Sequence, residues 1–440
     1  MADPERSVGV VGGGLLGMVL SLRLAQAGLR VTLIEGAAET GGAAGSCALG
    51  DHVWDRFYHV ILLSDSHLRA LLRELGLEDR LAWGVTRTGY YTAGKLHSVS
   101  NVVEYLTFPA LSPVDKLRLG WTVFYGSRIG SWRRLEKLTS VAWLKRHSGR
   151  SAFEKFWRPL LESKLGSDHV KASAAFIWAT IARLYAARKT GLKKEMFGYV
   201  EGGYRTVLQA LDRALRDSGA EVLTGTPARK ITSSGAGVDV ELAPGVARRF
   251  DRVVLTVPST RILEICPQLS EEERTRLGSI VHQDLLCAAF LLRKPLAGFY
   301  VTNLAARELP FTGIIEMTAL VDRANFGGLA LVYLPRYLAK GDPFFLKSDG
   351  EIAGLFMAAL RTVHPGLRDD DLAASCVSRL VDFPVVPTVD YSERSLPPTA
   401  TSLGNVFVVN SAQIPGGTNN VNEIVGLADR KAREISEARG

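Results

Sequence analysis

The feature that most constrains the fold is a set of three glycines placed after a short apolar run. Gly12, Gly14 and Gly17 lead into an apolar helical pattern, and a second apolar run then ends at Glu35, 18 residues beyond Gly17. This spacing predicts a strand, a glycine turn, a helix and a second strand that ends in an acid. Such a unit binds an adenine dinucleotide; the alternative is a βαβ unit that binds nothing.

Each of these residues has a physical reason to be there. Gly12 permits the tight turn, and Gly14 lets the backbone approach a pyrophosphate at the helix N-terminus. Gly17 allows close packing of the helix on the strand. Glu35 is placed to hold a ribose diol.

A second glycine-rich turn, formed by Gly41, Gly42 and Gly45, follows the acid directly. A simple nicotinamide-binding domain has no use for this turn. A second backbone approach suits a cofactor that lies extended across the domain, with its pyrophosphate contacted from two sides. A flexible loop is the alternative. The pair of turns therefore favours a flavin dinucleotide.

The two turns around Glu35 resemble the FAD-binding N-terminus of the flavin amine oxidase superfamily. This superfamily includes protoporphyrinogen oxidases, phytoene-type desaturases and, more distantly, UDP-galactopyranose mutases. Three later segments are similar to family landmarks in the same order, at 197–218, 250–258 and 405–422. The resemblance implies an α/β fold in which a discontinuous Rossmann-like FAD-binding domain carries an inserted α+β substrate domain. It also implies noncovalent FAD.

The order of the landmarks predicts the division of the chain into domains. Residues 1–80, 196–265 and 396–440 are assigned to the FAD-binding domain, and 81–195 and 266–395 to the substrate domain. One landmark departs from the family, because many relatives carry Gly-Asp where this chain has Asn410-Ser411. An amide and a hydroxyl can still bond ribityl hydroxyls, so the departure indicates a side branch of the superfamily.

The turns and the resemblance together define a predicted set of cofactor-binding residues. These are Gly12, Gly14, Leu15, Leu16, Gly17, Glu35, Gly41, Gly42, Ala43, Ala44, Gly45, Ser46, Tyr58, His59, Ala228, Val257, Asn410, Ser411, Asn420, Val421 and Asn422.

The composition agrees with a cytoplasmic protein that has two hydrophobic cores. The 440 residues are 47% hydrophobic, and no apolar window reaches the ~18 residues of a membrane-spanning helix. The first residues lack a basic region, so we expect no signal peptide. The four cysteines lie far apart without CxxC spacing, which indicates free thiols in a reducing compartment and neither a disulfide framework nor a metal site.

The net charge of +8 is concentrated between Lys116 and Arg150, where nine basic residues accompany one acid, Glu136. Five aromatic residues are interleaved with them. Such a segment can lie on an anionic membrane, here the inner face, or collect an anionic substrate such as a diphosphate. A solvated helical face is the alternative. Binding of nucleic acid is a poorer explanation of this charge, because the dinucleotide site already accounts for the main features of the chain.

Two polar residues are candidates for catalysis. The segment around His59 is similar to one that places a histidine beside the flavin in the mutases, where it could bond the flavin or act as acid or base near neutral pH. A structural histidine is the alternative. Glu316 lies in an apolar strand pattern, where burial would raise its pKa towards that of a base. The alternative for Glu316 is a strand residue facing solvent.

Cys287 bears on the choice of reaction. It occupies a strand similar to the one that carries, in monoamine and polyamine oxidases, a lysine that holds a water near flavin N5. A simple amine oxidase is therefore disfavoured, and the electron acceptor is oxygen or a quinone.

The sequence leaves three functions open. The favoured one is an FAD-dependent dehydrogenase or desaturase that forms C=C or C=N in a lipid-like or secondary-metabolite substrate. The second is a redox-neutral mutase of a sugar nucleotide, for which Arg183, Arg323 or Arg336 would bind the diphosphate. The third is a noncatalytic FAD-binding protein.

Overall fold

Strands and helices alternate along most of the chain. The computed structural model describes residues 6–188, 196–235, 237–414 and 420–437. The strands are β1 Ser7–Val11, β2 Arg30–Ile34, β3 Ser46–Leu49, β4 His52–Asp55, β5 Ile61–Leu62, β6 Leu81–Val85, β7 Thr88–Thr92, β8 Lys95–Ser98, β9 Met196–Val200, β10 Glu221–Leu223, β11 Lys230–Ser233, β12 Val238–Ala243, β13 Val246–Phe250, β14 Arg252–Leu255, β15 Val281–Leu292, β16 Val301–Leu304, β17 Gly313–Glu316, β18 Ala330–Ala339, β19 Leu372–Leu380, β20 Val385–Val386 and β21 Val406–Val408. The helices are α1 Leu15–Gln26, α2 Ser66–Glu74, α3 Val102–Thr107, α4 Pro113–Arg128, α5 Ser140–Ala152, α6 Arg158–Leu165, α7 Ala174–Arg188, α8 Tyr204–Asp217, α9 Ser259–Ile265, α10 Glu271–Gly278, α11 Asp349–Val363, α12 Tyr391–Arg394 and α13 Val421–Glu437.

A parallel sheet, sheet A, forms one half of the molecule with the strand order β10-β2-β1-β14-β21. Its strands are apolar on both faces because both faces are covered. Helices α1, α8 and α13 share one core with it, whereas the antiparallel strands β11–β13 and helices α9 and α10 cover the other face. The sheet takes its strands from three separated stretches of the chain. This is the predicted discontinuous Rossmann-like arrangement.

A mixed sheet, sheet B, forms the other half with the order β19-β15-β18-β17-β16-β7-β8, and β20 also pairs with β15. Alternate residues of β15 face opposite sides. Leu286, Ala288 and Phe290 pack in the core that includes α11, whereas Leu285 and Cys287 belong to the core shared with the β3–β4 hairpin. The second face of sheet B is therefore turned towards the segment that follows the second glycine turn.

Helices α3–α7 form a third layer with its own aromatic core. Trp143, Phe153 and Trp157 are buried at its centre. Gly149, at a φ of 80°, breaks the helical path within α5, and a π-helical turn over Phe153–Trp157 joins α5 to α6. None of the helices in the described ranges has the length and apolar character needed to cross a membrane.

Candidate cofactor and active site

The two glycine turns lie against each other at the carboxyl end of sheet A. The amide of Gly41 donates to the carbonyl of Gly13 at 2.7 Å, and Gly41 forms a parallel bridge with Gly14. A Cβ added to Gly42 would lie 3.2 Å from the Cα of Gly14. The turns thus present backbone from two sides to one space, as the sequence predicted.

The three glycines of the first turn have different surroundings. Gly12 has a φ of 112°, and a Cβ there would lie 2.6 Å from Thr256 Oγ1. A Cβ on Gly17 would lie 1.9 Å from the carbonyl oxygen of Gly12. A Cβ on Gly14 would meet nothing within 4 Å. Gly12 and Gly17 are therefore required by the fold, whereas Gly14 borders open space at the N-terminus of α1, where a pyrophosphate fits.

Glu35 follows β2 beside this space. Its Oε2 accepts from the amide of Gly13 at 2.6 Å, and its Oε1 accepts from the amide of Ala37 at 2.7 Å. Each oxygen keeps a further lone pair for a ribose hydroxyl. Ala228 is buried close to this position, because Thr226 donates its amide to the carbonyl of Glu35. These positions are compatible with the predicted ribose contact.

The second turn leads directly into the centre of the molecule. Gly42–Ala44 forms a 3-10 turn, and β3 begins at Ser46. The carbonyl of Gly45 accepts from the amide of Arg56 at 2.9 Å. This bond fixes the end of the β3–β4 hairpin, from which Tyr58 and His59 continue.

Asp55 is an important residue of the site that our sequence analysis did not identify. Its side chain is 3% exposed, and Oδ1 accepts from the amide of Tyr204 at 2.8 Å. Its carbonyl accepts from the hydroxyl of Tyr333 at 2.6 Å. Burial raises the pKa of Asp55 to about 8, against the lowering effect of the Tyr204 amide. The residue joins the hairpin to α8 and to sheet B; its one sequence signal is an acid at the end of a strand.

His59 lies 3.9 Å, from Nδ1 to Oδ2, from Asp55, and its ring centroid is 4.6 Å from that of Tyr204. Burial lowers the pKa of His59 to about 4. The ring is therefore uncharged near neutral pH, which disfavours the predicted role as an acid or base; a contact with the flavin stays a prediction. Its Nδ1 is closed off from solvent and has no hydrogen-bond partner among the described residues, whereas the side chain as a whole is 16% exposed.

A group of four tyrosines, the tyrosine wall, lines the second face of sheet B: Tyr58, Tyr300, Tyr333 and Tyr337. The hydroxyls of Tyr58 and Tyr337 are 3.2 Å apart, and the ammonium of Lys164 donates to Tyr58 at 3.1 Å. Burial raises the pKa of Tyr58 to about 12, so its hydroxyl stays protonated. Only Tyr58 was predicted; the alternating positions of Tyr333 and Tyr337 on β18 were the available signal.

Asn410 was predicted to bond a ribityl chain, but its side chain is engaged within the fold. Its Nδ2 donates to the carbonyl of Val257 at 3.2 Å and lies 3.3 Å from Ser259 Oγ, and its Oδ1 accepts from the amide of Ala412. These bonds occupy both amide hydrogens and leave one lone pair on Oδ1, so the contact with a ribityl chain stays a prediction. Ser411 begins the neighbouring 3-10 turn.

The last predicted cofactor-binding segment contains Asn420 and Asn422, whose side chains form hydrogen bonds within the fold. Asn422 Oδ1 accepts from the amides of His67 and Leu68 and so joins α13 to α2. Asn420 Oδ1 accepts from the amide of Glu423 as α13 begins at Val421. Both asparagine side chains therefore organise helix starts, and their contact with the cofactor stays a prediction. The neighbouring glycines at 416 and 417 lie outside the described residues.

Glu316 is buried at the end of β17, and desolvation raises its pKa. Its Oε1 accepts from the amide of Leu296 and its Oε2 from the amide of Gly298, both at 2.8 Å. Neither partner belongs to the predicted cofactor site. The carboxylate fixes the turn between β15 and β16, and this structural role is an alternative to the catalytic base, which stays a prediction.

The three arginines considered for a diphosphate are dispersed. Arg183 on α7 pairs with Asp65 at 3.1 Å, and Arg323 donates to the carbonyl of Gly328. Arg336 on β18 donates to the carbonyl of Pro310 at 2.7 Å and lies 4.0 Å above the ring of Phe344. They do not converge on one anion.

A cavity of about 310 Å³ lies between α6 and β18, and its lining includes Arg307, Arg336 and Tyr337. It contains no residue of either glycine turn. We place the site at the turns and the tyrosine wall because the unpartnered and backbone groups that fit a cofactor lie there. The cavity adjoins that site through Tyr337.

Cys287 lies at the centre of β15, fully buried, opposite Pro335 and Ser378 on the neighbouring strands. Burial raises the pKa of its thiol. No ammonium group is therefore supplied from this position.

The fold and the convergent glycine turns define a flavin-dependent oxidoreductase. The chain belongs to the family of flavin containing amine oxidoreductases, whose model matches residues 17–435. It is 24% identical over 468 residues to a probable zeta-carotene desaturase of Synechococcus elongatus, covering 92% of this chain and 93% of that protein. It is 20% identical to coproporphyrinogen III oxidase of Bacillus subtilis, covering 59% and 61%.

The solved structure of an oxidoreductase from Methanosarcina mazei superposes with a TM-score of 0.75 at 17% identity, covering 97% of this chain and 100% of that one. The predicted family, fold class and FAD cofactor are thereby confirmed.

Proposed function

We propose that this chain removes a hydride from a C–H bond of an apolar, lipid-like small molecule, forming C=C or C=N, with FAD held noncovalently. The observation that carries the proposal is the tyrosine wall. Its half-buried members Tyr58 and Tyr337 offer an aromatic surface with hydroxyl groups, beside Cys287 where the amine oxidases have a lysine. Such a surface suits an apolar substrate better than a charged amine.

When bound, FAD supplies the hydride acceptor. The residues of this chain bind the cofactor and orient the substrate. The amides around Gly14 would receive the pyrophosphate, Glu35 would receive the ribose, and the exposed part of the uncharged His59 ring would contact the cofactor. The tyrosine wall orients the substrate and excludes water from it.

The released proton needs a route to solvent. Lys164 is exposed, and its ammonium contacts the hydroxyl of Tyr58, which in turn contacts that of Tyr337. We assign this chain of three polar groups to proton transfer between the buried face and the surface. With a pKa of about 12, Tyr58 passes a proton on and does not retain the charge.

The names of the relatives support an apolar substrate, since one is a desaturase of a carotene and another an oxidase of a porphyrinogen. Oxygen or a quinone would accept the electrons. We also propose the predicted domain division with one adjustment. Because β6 pairs with β9, the first boundary falls after Val85 and not at residue 80.

The test is anaerobic reduction of the FAD-loaded protein. A polyene with saturated C–C bonds, coproporphyrinogen III and putrescine are added separately, and the visible flavin band is followed. We expect bleaching by the polyene or the porphyrinogen, and none by putrescine. Bleaching by putrescine alone would contradict the proposal. Oxygen uptake and quinone reduction then identify the electron acceptor.

Lys164→Met tests the proton route, with Lys171→Met, an exposed lysine beyond α6, as the matched control. We expect the first variant to keep FAD and to lose turnover by about 10²-fold, the lower end of what general acid–base groups contribute. The control should behave as the wild type. Equal turnover of both variants would remove Lys164 from the route.

The mutase alternative retains one supporting observation, the pair Arg307 and Arg336 in the adjoining cavity. It predicts turnover of UDP-galactopyranose after dithionite reduction. Turnover of this sugar nucleotide without turnover of any hydride donor would replace our proposal.

A further inference from the structure

Helix α4 has two apolar faces, of which one is covered. A capping box between Ser112 and Asp115 fixes its start, and Leu119, Thr122 and Gly126 are buried against the neighbouring helices. The opposite side, together with α3, exposes large apolar residues. We call this surface the α3–α4 apolar face; its members are Val103, Leu106, Val114, Leu117, Trp121, Phe124 and Tyr125.

The exposure of this face is large for so many apolar side chains. Leu117 is 76% exposed, Val103 69% and Trp121 57%. The α4 members recur at intervals of three and four residues, so they form one stripe along the helix. Monomeric proteins rarely leave a contiguous apolar patch of this kind without a partner.

The aromatic members are ordered against one another. The rings of Trp121 and Tyr125 are 6.3 Å apart and nearly parallel at 16°, and Trp121 lies 6.0 Å from Phe124. The guanidinium of Arg128 lies 4.7 Å above Phe124. Amphipathic aromatic rings with adjacent cations are typical of residues at a lipid headgroup boundary.

Positive charge accompanies the stripe along the same stretch of the chain. Of the nine basic residues between 116 and 150, Lys137 pairs with Glu393 and Lys145 with Glu154. The others make no ion pair within the part of the chain that the structure describes: Lys116, Arg118, Arg128, Arg133, Arg134, Arg146 and Arg150. The single acid of the segment, Glu136, is buried and accepts from Ser392. The charges of this segment that no ion pair neutralises are therefore positive.

We propose that the α3–α4 apolar face docks on an anionic lipid bilayer, with Leu117, Trp121 and Phe124 inserted at the depth of the headgroups and the unpaired cations bonded to lipid phosphates. An exposed apolar stripe in a segment rich in unpaired cations is the pattern of an interfacial helix. A second copy of the chain fits less well, because a symmetric interface would place the same cations opposite each other. The inference stands independently of the substrate.

The experiment is flotation of the FAD-loaded protein with phosphatidylcholine vesicles, with and without phosphatidylglycerol. We expect the wild type to float with the anionic vesicles only, and salt to weaken the binding. Leu117→Gln with Trp121→Gln should lower the partition coefficient about tenfold or more. Arg133→Ser with Arg134→Ser should lower it about fivefold for each charge removed.

Leu346→Gln is the matched control, since Leu346 is 84% exposed on a turn outside this face. It should float as the wild type does. The variants should keep their FAD content and unfolding midpoint. In a second measurement, brominated lipids should quench part of the tryptophan emission, and Trp121→Phe should remove that part.

Two results would overturn the proposal. One is flotation of the Leu117/Trp121 variant equal to that of the wild type. The other is a wild-type dimer in analytical ultracentrifugation that this variant converts to a monomer, which would assign the face to a second copy of the chain.

Discussion

The amide of Gly41 donates a hydrogen bond to the carbonyl oxygen of Gly13 at 2.7 Å, so that one glycine turn supports the other. Two backbone segments thereby face a single space with no side chain between them. Fold and cofactor binding depend on different glycines of this pair of turns, and substitutions can separate the two requirements.

Gly14→Val should abolish FAD retention without unfolding the apoprotein. The added side chain enters a space where the protein itself has no atom within 4 Å of the new Cβ, so it displaces the pyrophosphate alone. Flavin content after purification and the unfolding midpoint of the apoprotein check this. A variant that keeps its flavin would show that the pyrophosphate binds elsewhere.

Gly17→Ala should instead destabilise the apoprotein, by roughly 2 kcal/mol or more. Its Cβ would lie 1.9 Å from the carbonyl oxygen of Gly12, which is backbone and cannot rotate away. Gly354→Ala on α11 is the control, because a Cβ there meets nothing and a helical alanine stabilises by up to ~1 kcal/mol. Urea denaturation should give opposite signs for the two variants.

Asp55→Asn should change how stability depends on pH. Because the folded pKa of Asp55 is about 8, the folded chain binds this proton more tightly than the unfolded chain, and the wild type loses stability as pH rises from about 4 to 8. Asparagine can still accept from the Tyr204 amide and does not titrate. The wild type should lose on the order of 5 kcal/mol relative to the variant across this window, since each pH unit contributes about 1.4 kcal/mol.

The opposite effect of His59, whose lowered pKa makes stability rise with pH between about 4 and 6.5, is present in both proteins and cancels in the comparison. Urea denaturation at several pH values is the measurement. Parallel curves would mean that Asp55 ionises near its usual value.

Cys376 should react with iodoacetamide with a midpoint near pH 7. A hydrogen bond from the Cys47 thiol is the main cause that lowers the pKa of Cys376 to about 7, and the same interaction raises the pKa of Cys47. Cys47→Ala should return the midpoint to the usual ~8.5. Peptide mass spectrometry measures the rate for each cysteine, with buried Cys287 as the unreactive reference. An unchanged midpoint in the variant would exclude this hydrogen bond.

Glu316→Gln should leave FAD binding and turnover unchanged while lowering stability by about 1 kcal/mol. The neutral amide can still accept one backbone hydrogen bond but loses the charge-assisted character of the pair from Leu296 and Gly298. Turnover and thermal unfolding are measured on the same preparation. A tenfold loss of turnover at unchanged stability would restore Glu316 as a base.

The glycine turns could be predicted because their cause is local. A positive φ at Gly12 and a helix that touches the backbone at Gly17 each require a residue without a side chain, and the spacing along one βαβ unit defines the rest. The family landmarks could be recognised for the same reason, because each is a short local motif.

The tyrosine wall could not be found in this way. Tyr58 and Tyr337 are 279 residues apart in sequence and meet only because β18 lies centrally in sheet B. The pKa of His59 depends likewise on burial by distant residues such as Tyr204. Asn410 and Asn422 lie in the segments that were predicted, yet a side-chain amide bonds backbone as readily as a cofactor, and sequence does not distinguish these partners.

The assembly of sheet A from three stretches of chain determines when the flavin can be captured during synthesis. β1 and β2 leave the ribosome early, but the edge of β1 stays unpaired until Arg252–Leu255 is made, and β14 then waits for Val406–Val408. Pairings this distant are slow to form and leave apolar strand edges exposed in the nascent chain. The cofactor therefore cannot serve as an early template, and sheet A depends on protection from aggregation until Val406–Val408 has been added.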